Sequence, residues 1–302
     1  MNSSQAGVER AAALIRAGKL VAFPTETVYG LGANALDAAA VERIFAAKGR
    51  PRTSPLIVHV DSVEMARALA SRWPHAAETL ARHYWPGPLT LVVPKGPQIP
   101  DIVTAGLPTV ALRMPAHSLA LDLIRAARVP IAAPSANRFT ELSPTAANHV
   151  PASLADFVLD GGPARVGIES TVLSLVDAPL LLRPGVIPLT EIEALVGPVQ
   201  VAVSPESGAH ASPGMHLRHY RPATPLYLLP AGSPPPEGRG AWLRMGREMP
   251  GEALAYAAVL YETLHRLDTQ QLDWIAVEPP PDAPEWAGVL DRLRRAANNH
   301  PM

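Results

Sequence analysis

The chain has 302 residues, 48% of them apolar, with a formal charge of −1. That is more chain than one hydrophobic core usually serves, so two domains are expected and general disorder is excluded. No apolar run is long enough to span a bilayer, the absence of cysteine removes disulfides, thiol nucleophiles and most structural zinc designs, and a near-neutral chain has no global field to draw it onto nucleic acid. The opening MNSSQAGVER lacks the basic-then-apolar pattern of a signal peptide, and a cytoplasmic location is the expectation. The basic residues are 23 Arg and only 3 Lys, at positions 19, 48 and 95, so each retained lysine carries information.

In chain order, VERAAALIRA at 8–17 predicts a helix closed by Gly18. LVAF at 20–23 predicts a buried strand that runs into FPTETVYGLG at 23–32, a polar, glycine-backed mouth at a strand end. GLGANA at 30–35 fits the G-x-G-x-x-A dinucleotide pattern, but PTETVY separates Gly30 from the strand. The match is therefore rejected, and the glycines are read as points where the backbone turns tightly. No Walker A sequence, G-x-S-x-G or H-E-x-x-H occurs. Asp37 is a good N-cap for a helix over 38–48, with Gly49 just past its end.

KGRPR at 48–52 supports two readings. A lysine in the last helical turn, a capping glycine and a terminating proline make an ordinary helix end. That leaves Arg50 and Arg52 unexplained, and three cations in five residues beside a strand-end crevice suit a triphosphate. PLIVHV at 55–60 predicts the next strand, with His59 read as a hydrogen-bonded structural group. A helix near 61–71 follows, then strands at 89–93 and 109–114. Arg113 interrupts an apolar run and needs a partner, either a buried carboxylate or an anionic ligand. A helix over 118–128 and a strand over 129–133 lead to PSAN at 134–137, which reads as an ordinary turn or as a hydroxyl and amide offered at a strand's carboxyl end. Further strands are predicted at 156–160, 170–175 and 179–184.

Residues 199–225, rich in Pro, Ser, Gly and His, read as a linker. His216 and His219 lack further clustered ligands, and no residue is assigned to a metal. Arg218 and Tyr220 are placed to reach back over a site as a lid. A smaller unit follows, with strands LYLLP and AWLRM, a helix over 253–267, a strand over 274–279 and a helix over 286–299. The expected class is α/β: a twisted mixed sheet with a smaller, Rossmann-like α/β domain, divided as 1–198, linker 199–225 and 226–302.

FPTETVYGLG, KGRPR with PLIVHV, YWPGPLTLVV (84–93), ALRMP, APSAN, GIESTVLSL (167–175) and LLRPG (181–185) stand in the order seen in threonylcarbamoyl-AMP synthases, which the chain resembles over about residues 8–190 and, with linker and C-terminal unit, in the two-domain form. The resemblance implies condensation of L-threonine, bicarbonate or CO2, and ATP to threonylcarbamoyl-adenylate and pyrophosphate, for threonylcarbamoyladenosine in tRNA. It implies catalytic roles for Lys48, Arg50, Ser135 and Asn137, and threonine binding by Thr27, His59, Arg113 and Ser170. It implies ATP contacts from Arg50, Ser54, Thr109, Ser135, Ser143, Arg183 and Tyr220, although many members carry Asn where Ser54 stands. Magnesium is expected with ATP. The expected partners are the small substrates and a downstream tRNA-transfer machinery, with weak or no direct tRNA binding and no membrane. The alternatives are a non-catalytic RNA-binding module of this fold, a carbamoyl-transfer enzyme of hydrogenase maturation, against which the missing cysteines speak, and a sensor without turnover.

Overall fold

The computed structural model describes residues 3–202 and 219–297. His216 and Arg218 of the expected linker lie outside the described residues. Chain order begins with helix α1 (Ser3–Arg16), strands β1 (Val21–Phe23) and β2 (Gly30–Asn34), helix α2 (Ala38–Lys48) and strand β3 (Ile57–His59). Helices α3 (Val63–Leu69) and α4 (His75–Tyr84), strand β4 (Leu89–Pro94), short helix α5 (Asp101–Thr104) and strand β5 (Thr109–Arg113) come next. Helix α6 (Ser118–Ala127), strands β6 (Ile131–Ala132), β7 (Phe157–Val158), β8 (Thr171–Ser174) and β9 (Leu180–Arg183), helix α7 (Leu189–Val196) and strand β10 (Gln200–Val201) complete the larger unit. The smaller unit holds strands β11 (Leu226–Leu228) and β12 (Gly240–Leu243), helix α8 (Ala253–Asp268), strand β13 (Trp274–Val277) and helix α9 (Ala287–Ala296).

The larger sheet has ten strands in the order β10-β9-β8-β4-β5-β3-β6-β2-β1-β7, with parallel and antiparallel neighbours mixed. The smaller one is a parallel trio, β11-β13-β12. Local chemistry explains most boundaries. Asp37 accepts from the amides of Ala39 and Ala40 to start α2, and Gly49 ends it at φ 63°, in the left-handed region. Helices α4, α5 and α7 each begin directly after a proline, at Pro74, Pro100 and Pro188. Proline suits such starts because the first helical amides have no intrahelical partner.

One expectation fails here. GLGAN is strand β2, paired with β1 and β6, rather than a tight turn. The glycines serve close packing: a Cβ on Gly32 would lie 2.8 Å from both the Ile131 methyl and the Phe23 ring.

Strand alternation sorts the sheet into two faces. Val58, Leu91, Val93, Leu112, Leu173 and Leu181 enter the main core with residues of α2 and α4. Their strand neighbours Ile57, Val92, Ala111, Val172 and Leu182 form a small separate cluster on the opposite face. A β-bulge breaks the alternation in β9: Leu173 pairs with Leu181, but Val172 pairs with Arg183, so Leu182 is the extra residue. The insertion turns Arg183 onto the face of Val172 instead of into the core. In the smaller unit, α8 and α9 pack in one core that also takes in Val28, Leu142, Ile168 and Tyr220 from elsewhere in the chain.

Candidate active site

The second face carries a partly open cavity of about 540 Å³, counting its mouth. Its floor is set by β3 and β5, which run parallel with His59 beside Arg113. Thr27, His59, Arg113 and Ser170 line one part of it. Arg50, Ser135, Arg183 and Tyr220 line the same cavity. Lys48, Ser54, Thr109, Asn137 and Ser143 are not among the lining residues.

Arg113 is buried and meets the buried carboxylate that its place in an apolar run calls for. Its Nη2 lies 2.7 Å from Glu26 Oε1, an ion pair without hydrogen-bond alignment. Nη1 donates to Thr27 Oγ1 at 2.9 Å and Nε to the Gly87 carbonyl at 3.2 Å. The Thr25 hydroxyl donates to the Val28 carbonyl at 2.6 Å, so in the 2.8 Å contact between Thr25 and Thr27 the donor is Thr27. Thr27 Oγ1 thus accepts from Arg113, donates to Thr25 and keeps one lone pair for a ligand. His59 lies edge-on to Phe23, with ring centroids 5.8 Å apart. Burial, reinforced by the Arg113 charge, pulls its imidazole down to about 3, so it is neutral, and its Nδ1 has no protein partner. The Ser170 hydroxyl sits 2.8 Å from that of Thr90 and accepts from Arg183 Nη2 at 3.1 Å.

The three cations of KGRPR have three different fates. Lys48 is buried, and its Nζ donates to the carbonyl of Ser135 at 2.6 Å and to that of Asn137. Burial, then the nearby Arg50 charge, pushes its pKa well below the ordinary lysine value. Lys48 therefore clamps the PSAN loop, with its amino hydrogens spent on protein carbonyls. Arg50 faces the cavity; Nη2 donates to the Pro55 carbonyl at 3.2 Å, while Nε has no partner. Burial brings Arg50 down to about 10, still charged near neutral pH. Arg52 is exposed and pairs with Glu42.

The PSAN loop is further held by a bridge between Ser135 and Gly30 and by the Ala136 amide, which donates to the Tyr29 carbonyl at 2.8 Å. Asn137 turns inward, its Nδ2 donating to the carbonyls of Arg138 and Glu141 at 2.8 and 2.9 Å. Ser143 donates to Glu169 Oε1 at 2.5 Å. Ser54 is buried at the turn that follows Arg50, its amide bonded to the Pro51 carbonyl at 3.2 Å. Thr109 opens the strand that Arg113 closes, and alternation puts both on one face. Tyr220 is buried at φ 61° with no hydrogen-bond partner for its hydroxyl.

Glu169 and Thr25 are polar lining residues that carried no assignment from the sequence. Glu169 faces the cavity and is held low by Arg292 and Arg183, which outweigh the upward push of burial. Thr25 orders Thr27. Among the described residues, no group of three or more histidines and carboxylates converges as a metal site. The nearest carboxylates are already engaged, Glu26 by Arg113 and Glu169 by Arg292.

The Sua5/YciO/YrdC family model, described as "Telomere recombination", matches residues 13–185, and the model described as "Threonylcarbamoyl-AMP synthase, C-terminal domain" matches residues 187–298. The chain belongs to the threonylcarbamoyl-AMP synthase family. It is 53% identical to the threonylcarbamoyl-AMP synthase of Pyrococcus abyssi over 226 residues, 72% of this chain and 66% of that protein. It is 42% identical to the Bacillus subtilis threonylcarbamoyl-AMP synthase over 98% of this chain and 94% of that one. The crystal structure of P. abyssi Sua5 complexed with L-threonine superposes with a TM-score of 0.89 at 40% identity, covering 96% of this chain and 94% of that chain. As in the rest of the threonylcarbamoyl-AMP synthase family, this chain is an enzyme that uses ATP.

Proposed function

We infer that this chain condenses L-threonine, bicarbonate and ATP into threonylcarbamoyl-adenylate, pyrophosphate and water, and so supplies the activated group for threonylcarbamoyladenosine in tRNA. The observation that carries the reading is one cavity shared by two chemistries: hydroxyls, a neutral imidazole and a paired arginine beside the Arg50 and Arg183 cations.

Arg113 and Thr27 receive the carboxylate and hydroxyl of threonine, with Ser170 and neutral His59 as further hydrogen-bond partners. An uncharged His59 adds no second cation to repel the amine that must react. The threonine amine attacks the carboxyl donor, with loss of water, to give a carbamate. A carbamate oxygen then attacks the α-phosphorus of ATP, and the bond to pyrophosphate breaks. Nucleophile and phosphate are both anionic, so the protein's task is to hold like charges together. Arg50 and Arg183, fixed in a site of low dielectric, offset that repulsion without reorganising. The Ser135 hydroxyl, presented by the clamped loop, completes the phosphate contacts. No covalent enzyme intermediate is needed, and positioning supplies much of the rate.

Lys48 and Asn137 act in this reading through the loop they shape. Ser54, Thr109 and Ser143 border the nucleotide end, and Tyr220 covers it. Magnesium enters as the counter-ion of ATP. Residues 1–198 form the catalytic domain, 199–225 the linker and 226–302 the smaller domain. Among the described residues no helix is long and apolar enough to cross a membrane, and a cytoplasmic location completes the proposal.

The test is pyrophosphate release from ATP with threonine and bicarbonate present and with each omitted in turn. Release that depends on both supports the reading. Release that ignores threonine overturns it.

A further inference from the structure

Arg292 stands on the last helix, α9, yet its side chain is fully buried. Its Nε donates to Glu169 Oε2 at 2.6 Å and its Nη2 to the Glu169 carbonyl at 3.1 Å. Nη1 donates to the Pro184 carbonyl at 2.9 Å and also meets Asp291 at 2.9 Å. Glu169 directly precedes Ser170 and Pro184 directly follows Arg183, so one guanidinium grips both strands at the open end of the β8–β9 hairpin. The same guanidinium carbon lies 5.2 Å from the centroid of the Tyr220 ring. Ser170 and Arg183 thus each directly neighbour in sequence a residue that Arg292 binds, and the Tyr220 ring lies against the same guanidinium.

Two further observations point the same way. The helices of the smaller domain press on the two turns that flank the hairpin. A Cβ on Gly167 would lie 2.2 Å from the Ala257 carbonyl of α8, and one on Gly288 of α9 would lie 2.3 Å from the Gly185 carbonyl. Such contacts tolerate no side chain and leave the hairpin end no slack. Glu169 also brings a carboxylate to a cavity that carries Arg50, Arg113 and Arg183. Left bare, that charge would oppose an anionic substrate. Arg292 neutralises it from behind, while Ser143 and the Tyr261 hydroxyl, at 3.2 Å, take up its remaining acceptor positions.

We propose that Arg292 is a positioning residue for adenylate formation: from the C-terminal helix it holds both ends of the β8–β9 hairpin and the Tyr220 ring, and thereby sets Ser170, Arg183 and Tyr220 in the cavity. The proposal rests on the functional reading above. It gives the smaller domain a task inside the reaction, since the site's outer wall is incomplete without it.

The experiment measures threonine-dependent pyrophosphate release by the full chain and by the variants Arg292→Lys, Leu293→Ala and Glu169→Gln, well below each thermal midpoint. Leu293 is the control, a buried core residue on the same helix whose apolar side chain can hydrogen-bond to neither Glu169 nor Pro184. The unsubstituted chain decides the functional reading, and the variants relative to it decide the clamp. Arg292→Lys keeps the charge but loses the fork, and kcat/KM is expected to fall about tenfold or more for both ATP and threonine. Leu293→Ala is expected to lower the thermal midpoint yet keep kcat/KM within about threefold, because core truncation costs stability first. Glu169→Gln should lose activity in the same sense, and the double variant should be no worse than the worse single one. Arg292→Lys with kcat/KM within about threefold of the unsubstituted chain, or Leu293→Ala losing as much, overturns the proposal. Should Arg292→Lys fail to fold, full activity in Glu169→Gln overturns it alone.

Discussion

The two sides of the cavity are held in different ways. On one side Thr27, His59 and Arg113 are fixed by neighbours in the larger unit: Thr25, Phe23, Glu26 and the Gly87 carbonyl. On the other, Glu169 and Tyr220 lean on Arg292, and Glu169 and Ser143 are tied to Tyr261 and His265 of α8. The first wall is self-supporting and the second is buttressed from the smaller domain. On the first wall the buried charge of Arg113 finds its partner, Glu26, within the larger unit. On the second the buried carboxylate of Glu169 takes its partner, Arg292, from the smaller one.

Substitutions can break this contrast or sharpen it. The largest effect is expected between the walls. Arg50→Ala should cut adenylate formation about a hundredfold or more, since a fixed cation aimed at developing charge is lost, while the thermal midpoint moves by no more than about 4 °C. A collapse of the midpoint instead would make Arg50 a structural residue. Tyr220→Ala comes next and should behave as a lesion of the buttressed wall. It should lose about 3 kcal/mol of stability by urea unfolding, with weaker ATP retention and faster escape of adenylate in a trapping assay. Unchanged escape would remove its covering role.

Thr27→Val tests the self-supporting wall. The KM for threonine should rise up to about tenfold, as expected for a lost hydrogen bond to its hydroxyl, with the KM for ATP unmoved. A matching rise for ATP would show that the two walls are not separable. A smaller, pH-dependent effect is expected at His59, whose folded pKa lies near 3 against 6.5. The folded state resists the proton that the unfolded chain takes up, so this contribution is full above about pH 6.5 and is lost as pH falls toward 3. Unfolding free energy should therefore drop more steeply between pH 7 and 4.5 for the unsubstituted chain than for His59→Gln, and equal slopes would refute the neutral imidazole. The smallest effect belongs to Arg52→Ala: less than about 0.5 kcal/mol in stability and no change in rate, because an exposed pair contributes little.

Much of the fold was legible because hydrophobic alternation and capping are local. Asp37 and Gly49 bound α2 where expected, and the apolar runs at 89–93 and 109–114 are strands. What escaped was set by distant packing. The glycines of β2 look like turn residues until Phe23 and Ile131 are seen against them. α4 and α7 hide behind prolines that read as breakers but start helices.

In the site, Arg113 announced itself as a charge in an apolar run. Arg292 carries the same signal in helical form, since it falls on the buried stripe with Val289, Leu293 and Ala296. Lys48 shows the limit of that approach. Composition marks it as special, but only the carbonyls of Ser135 and Asn137 reveal that its charge is directed inward.

The bulge at Leu182 makes β9 sensitive to parity. Straightening the strand while keeping every residue would offend no composition rule. Leu182 would then sit opposite Val172, and even spacing from Leu181 would turn the Arg183 guanidinium from the cavity side into a packed aliphatic interior. Removing Leu182 itself would leave Arg183 opposite Val172, so homologous chains should tolerate that gap better than a straightened strand of unchanged length.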